Sequence, residues 1–123
     1  MKKLKFLNDT IHGALDYGVV IIFALAPTLL GLDGHSAVLS YLLAIVHLFV
    51  TILSDMPFGL KKLIPMLWHG HLELVVSLAL VISPWVFSDL LASGQLFFTL
   101  MGAIIFFVWA SSNYGDKRFA ALA

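Results

Sequence analysis

Residues 67–87 read LWHGHLELVVSLALVISPWVF, an apolar run whose ionisable members, His69, His71 and Glu73, crowd its beginning. Such a run is long enough to cross a bilayer, because ~20 mostly apolar residues rise ~30 Å as a helix. Three further segments share its character: Ile11 to Leu32, Ala37 to Leu53 and Gln95 to Ala110. Open strands would leave backbone groups unpaired in lipid, and none of the four segments alternates like a barrel strand, so all are read as helices. A chain of 123 residues that is 61% hydrophobic and 11% charged departs from a soluble domain in the same direction. Its net charge of zero provides no global field for nucleic acid, and without cysteine it has no disulfides, thiolate metal sites or iron–sulfur clusters.

Short stretches rich in turn formers, residues 31–36 and 88–94, join the first span to the second and the third to the fourth. The longer connection from Asp55 to Pro65 carries two prolines, two lysines and large apolar residues, a mixture suited to the headgroup region. Lys2, Lys3 and Lys5 precede the first span, Lys61 and Lys62 lie in the middle connection, and Lys117 and Arg118 follow the last span. All seven basic residues therefore fall on one side of a four-span chain, which the positive-inside rule makes the cytoplasm. Both termini are expected on that side.

Displaced by 57 positions, the chain matches itself. His12-Gly13-Ala14-Leu15-Asp16 falls on His69-Gly70-His71-Leu72-Glu73, and Ala26-Pro27-Thr28 on Ser83-Pro84-Trp85. The basic exits, Phe58 to Lys62 and Tyr114 to Arg118, also resemble each other. The fold class that follows is an all-α membrane protein, a single transmembrane domain over residues 1–123 made of two tandem helical hairpins, approximately 10–62 and 67–118. Each unit holds an even number of spans, so the copies are expected to be parallel and related by a pseudo-twofold axis along the membrane normal. Recurrence of the first span within the chain also favours a retained span over a cleaved signal peptide.

On these residues the chain resembles the SPW repeat family of small prokaryotic integral membrane proteins, named for a Ser-Pro-Trp motif late in a span. Ser83-Pro84-Trp85 matches the motif, and in the first copy only Pro27 does. The His69 to Glu73 entry and the Asp55 to Leu60 connection are similar to the family's pattern too. The resemblance implies a multi-pass protein of the prokaryotic cytoplasmic (inner) membrane and carries no established activity.

His12 and Asp16 are spaced four apart, as are His69 and Glu73, so each pair shares one helix face. Phe23 and Pro27 continue the first stripe; Ser77, Leu80 and Pro84 continue the second. Carboxylates are costly in lipid, so these faces should turn inward. His12, Asp16, His69, His71 and Glu73 form a candidate polar site in which imidazole and carboxylate exchange protons or share a divalent cation. The structural alternative is that these pairs cap and fix helix packing near the cytoplasmic end, within reach of water and headgroups. His47, on a stripe with Ser40, Ala44, Thr51 and Ser54, is a candidate intramembrane ligand or helix contact. Haem ligation there lacks a symmetric partner, because Ile104 stands where His47 would recur. Pro27 and Pro84 each free a carbonyl, those of Phe23 and Leu80. Trp68 and Trp85 are expected to anchor the third span at the two interfaces.

Walker A, His-Glu-x-x-His, nucleophile-elbow and dinucleotide signatures are missing, so no catalytic residue, resident metal or specific cofactor is assigned. The expectation is a non-catalytic structural or accessory component of the lipid bilayer, assembled with itself or with a larger membrane complex. Two alternatives remain open: a proton- or cation-handling protein using the His/carboxylate pairs, and a haem- or quinone-binding redox subunit.

Overall fold

A computed structural model describes residues 7–112. Lys2, Lys3, Lys5, Lys117 and Arg118, on which the orientation leans, lie outside the described residues, as does the basic exit of the second copy. The described residues are helical: α1 Asp9–Leu30, α2 Gly34–Leu53, α3 Met66–Val86 and α4 Gln95–Ser111, the last entered through a short 3-10 turn, Ala92–Gly94.

Local chemistry sets the boundaries. The Asn8 side chain accepts a hydrogen bond from the Ile11 N–H at 2.9 Å, so α1 begins at Asp9, ahead of the expected Ile11. It ends where Gly31 turns left-handed at φ 67°, a conformation glycine adopts without strain, and the N–H groups of Gly31 and Leu32 both reach the Pro27 carbonyl. Leu32 thus belongs to the turn. The turn is then tied across the molecule, because the Asp33 N–H bonds Ser93 Oγ at 3.1 Å in the connection between α3 and α4. Pro65 stands just before α3, where its fixed φ suits a helix start and its carbonyl accepts from the Trp68 and His69 N–H groups.

Four of these helical segments are long and apolar enough to cross a membrane. Their outward faces carry Leu29, Val75, Val86 and Leu96, each at least 65% exposed, as a lipid-facing surface requires. The chain therefore has the architecture of a multi-pass membrane helix bundle. α1 packs chiefly on α2, and α3 on α4. All four meet in a core of Val19, Phe23, Ala44, Leu80, Phe98, Met101 and Ile105.

Pro27 and Pro84 both lie inside helices and are buried. The Phe23 carbonyl, deprived of its donor by Pro27, instead accepts from Ser40 Oγ of α2 at 2.7 Å. Around the Ser-Pro-Trp motif, Ser83 is half-buried, the Pro84 carbonyl accepts from Gln95 Nε2 at 3.1 Å, and Trp85 Nε1 donates to Thr99 Oγ1 at 3.1 Å. The exposed Trp85 ring fits an interfacial anchor, and Trp68 is equally outward at the other end of α3.

The middle connection is firmly fastened to the end of α2. Leu60 and Lys61 N–H groups bond the Ile52 carbonyl, Leu63 and Ile64 N–H groups bond that of Leu53, and Asp55 N–H bonds Ile64 O. Met56 is buried beneath it and Tyr17 Oη donates to Phe58 O at 2.8 Å, while Leu60 and Leu63 project outward beside Lys61 and Lys62. An outward apolar and basic edge is what a headgroup-level segment presents.

Candidate functional site

The inward stripes of α1 and α3 face each other at the end of the bundle that carries the middle connection. His12, Gly13, Asp16, Val19 and Phe23 are buried along α1, and His69, Gly70, Glu73, Ser77 and Leu80 along α3. Asp16 and Glu73 sit ~10 Å of helix rise from the starts of their helices. His12 and His69 are fully buried, and Asp16 and Glu73 are 2% and 4% exposed.

These four side chains converge. His12 Nε2 lies 3.2 Å from Asp16 Oδ2, 3.0 Å from Glu73 Oε1 and 3.3 Å from His69 Nε2. His69 Nε2 lies 2.9 Å from Asp16 Oδ2 and 3.3 Å from Glu73 Oε1. One donor atom from each residue thus falls within 4.8 Å of all the others. Each imidazole contacts the carboxylate of its own helix and that of the opposite one, so neither pair is self-contained.

The far nitrogens of the two rings have matching partners. His12 Nδ1 lies 2.5 Å from Ser112 Oγ, and His69 Nδ1 lies 2.5 Å from Ser54 Oγ. Each serine hydroxyl donates its proton one helical turn back, Ser112 to Val108 O and Ser54 to Val50 O. The serine oxygens are therefore acceptors for the rings, which fixes a proton on each Nδ1 and turns each Nε2 toward the carboxylates. Two parallel bridges, Leu7 with Ser112 and Ser54 with Ile64, hold the backbone where these serines sit.

His47 approaches from α2, its Nε2 3.6 Å from Asp16 Oδ1. It borders a cavity of about 70 Å³ whose lining includes Glu73, Leu43, Val46, Val50 and Val76. A pocket that takes an organic cofactor commonly holds ~300 Å³ or more, so this space suits water and gives the haem expectation no support.

His71, grouped with the others by sequence, is set apart from them. It is exposed and its ring meets Trp68 edge-on at 5.5 Å. Two residues of helix rotate it ~200° from His69, so it points away from the centre. The remaining four are at most 4% exposed, so the side chains lie inside the bundle rather than at a surface that water and headgroups reach. Ser54 was legible only as part of a small polar helix-contact stripe. Ser112 was missed, although a serine closing the second span of each half is a signal the repeat contains.

No family model, curated protein or solved structure matches the chain.

Proposed function

We propose that this chain is a cation-handling membrane protein, with the buried imidazole–carboxylate centre of His12, Asp16, His69 and Glu73 as its working part. The observation that carries the reading is convergence of four ionisable groups in a space removed from water. Desolvating such groups costs several kcal/mol each when they are charged, and apolar side chains of similar volume would fill the same space without that cost. Two imidazoles with Nε2 turned inward and two carboxylates supply lone pairs, so a shared proton or metal cation is the natural occupant. This is a more specific ground than the shortness of the extramembrane segments, on which the structural or accessory reading depends.

The same reading takes the bundle as two parallel hairpins about a pseudo-twofold axis. Its support is the pairing of contacts: His12 with Ser112 against His69 with Ser54, and Leu7 with Ser112 against Ser54 with Ile64. His47 breaks that symmetry, since Ile104 occupies the corresponding position. Membership of the SPW repeat family, a prokaryotic inner-membrane location with both termini cytoplasmic, and self-association or a larger complex belong to the proposal on sequence grounds.

Proteoliposomes loaded with a pH indicator or a divalent-metal indicator test the function. Wild type is expected to pass protons or metal above background, and an Asp16→Asn, Glu73→Gln double variant to fall to background. Equal flux in the two proteins would remove the proposal.

A further inference from the structure

We propose that His12, Asp16, His69 and Glu73 are the ligands of one tetrahedral divalent transition-metal ion of the Zn²⁺ class, with Ser54 and Ser112 positioning the two imidazoles. This rests on the cation reading above and narrows the cation to a metal.

The spacing of the donors is the first ground. Ligands bound ~2.0–2.1 Å from a tetrahedral ion stand ~3.3 Å from one another. The five separations that involve a histidine Nε2 are 2.9, 3.0, 3.2, 3.3 and 3.3 Å, and the remaining pair is within 4.8 Å. Imidazole–carboxylate hydrogen bonds have similar lengths, so what points to an ion is that both nitrogens and both oxygens converge on one point rather than forming two separate pairs. An ion at their centre would touch all four.

The orientation of the rings is the second ground. Metal-bound histidines almost always donate their other N–H to an oxygen, which fixes the tautomer and aims the lone pair. Ser112 and Ser54 provide that acceptor for His12 and His69, and their own hydroxyl protons are already given to Val108 and Val50. Both Nε2 atoms then face each other and two carboxylates, where each either donates a proton to a carboxylate or gives its lone pair to a cation shared by all four.

Charge and donor type select the ion. Two carboxylates against a divalent cation sum to zero, which suits a site shielded from water. Ca²⁺ and Mg²⁺ prefer six or more oxygen ligands, whereas a pair of imidazoles favours Zn²⁺ and its neighbours. His47 flanks the outer oxygen of Asp16, and the cavity it shares with Glu73 leaves room for water beside the centre. Ligand set, the spacing of the histidine nitrogens from their neighbours and supporting hydrogen bonds are thus those of a metal site.

The test uses the full chain, purified in detergent without a histidine tag, stripped with chelator and dialysed against Zn²⁺ or Co²⁺. One Zn²⁺ per chain is expected, undisplaced by excess Mg²⁺, and Co²⁺ should show the intense visible bands of four-coordination. Ser54→Ala and Ser112→Ala should each weaken Zn²⁺ binding roughly 10–100-fold while retaining one ion per chain. Glu73→Gln should weaken it further. Substoichiometric binding by wild type, a pale six-coordinate Co²⁺ spectrum, or affinity indifferent to Glu73→Gln would overturn the proposal. Where a variant fails to fold, X-ray absorption of the Zn²⁺-loaded wild type decides: two imidazole and two carboxylate ligands support the site, and a six-ligand shell rejects it. Proton flux that depends on Asp16 and Glu73 in a protein that binds no Zn²⁺ would remove the metal and leave the cation reading standing. Neither flux nor metal would remove both.

Discussion

His69→Ala is expected to destabilise the bundle by about 3–5 kcal/mol, the cost of breaking a buried ionic cluster from one side. His69 Nε2 is in contact with Asp16, Glu73 and His12 at once, so its loss leaves two buried carboxylates facing one imidazole. It also removes the donor to Ser54 Oγ and opens a void between α1 and α3. Denaturation in mixed detergent micelles, followed by helical circular dichroism, measures the effect. The informative comparison is the quadruple variant His12→Leu, Asp16→Leu, His69→Leu, Glu73→Leu. Removing a whole buried ionic cluster in favour of apolar packing is often neutral or stabilising, so the quadruple variant should lose less stability than the single one. It should lose all cation binding. A His69→Ala protein within ~0.5 kcal/mol of wild type, the range of ordinary surface substitutions, would show that the four groups are not energetically coupled.

Gly59→Ala is expected to act almost as strongly from outside the cluster. A Cβ at Gly59 would lie 1.9 Å from the Ser54 carbonyl oxygen and 3.2 Å from that of Met56. Both are backbone atoms, fixed by the hydrogen bonds that fasten the middle connection to α2, so neither can swing aside as a side chain would. The strain should cost ~1–3 kcal/mol or more, and it falls on the residue whose hydroxyl holds His69 Nδ1. Weakened cation binding should therefore accompany lowered thermal stability. Gly18→Ala is the control: a Cβ there meets nothing within 4 Å, and alanine in a helix gains ~0.5–1 kcal/mol over glycine. Gly59→Ala with unchanged stability and unchanged Zn²⁺ affinity would mean that the connection does not position Ser54.

The four spans were legible because bilayer crossing imposes a length and a composition on every segment, and no tertiary contact is needed to recognise them. Their boundaries were less so. The Asn8 cap and the left-handed Gly31 moved the limits of α1 by a residue or two, as single capping hydrogen bonds do. The inward stripe of α1 and α3 was legible for the same reason as the spans: carboxylates at helical spacing in an apolar run have one tolerable direction. Convergence of the two stripes was an expectation of the repeat, while the supporting atoms were not in it. Ser54 and Ser112 reach the imidazoles through contacts between residues distant in sequence, and His47 approaches Asp16 from a different helix. His71 shows the converse limit. Proximity in sequence grouped it with His69, and rotation about the helix separates them.

Histidine-selective ¹⁵N NMR of the full chain in micelles tests the central claim most directly, since it reads the protonation of each imidazole nitrogen. Of the five histidines, His12 and His69 should be protonated at Nδ1, with Nε2 resonances that move on addition of Zn²⁺ or on titration, while the outward His35 and His71 should show no Zn²⁺-dependent change at one ion per chain. A bare Nδ1 on either buried ring, or Nε2 signals indifferent to both metal and pH, would contradict a cation centre at this site.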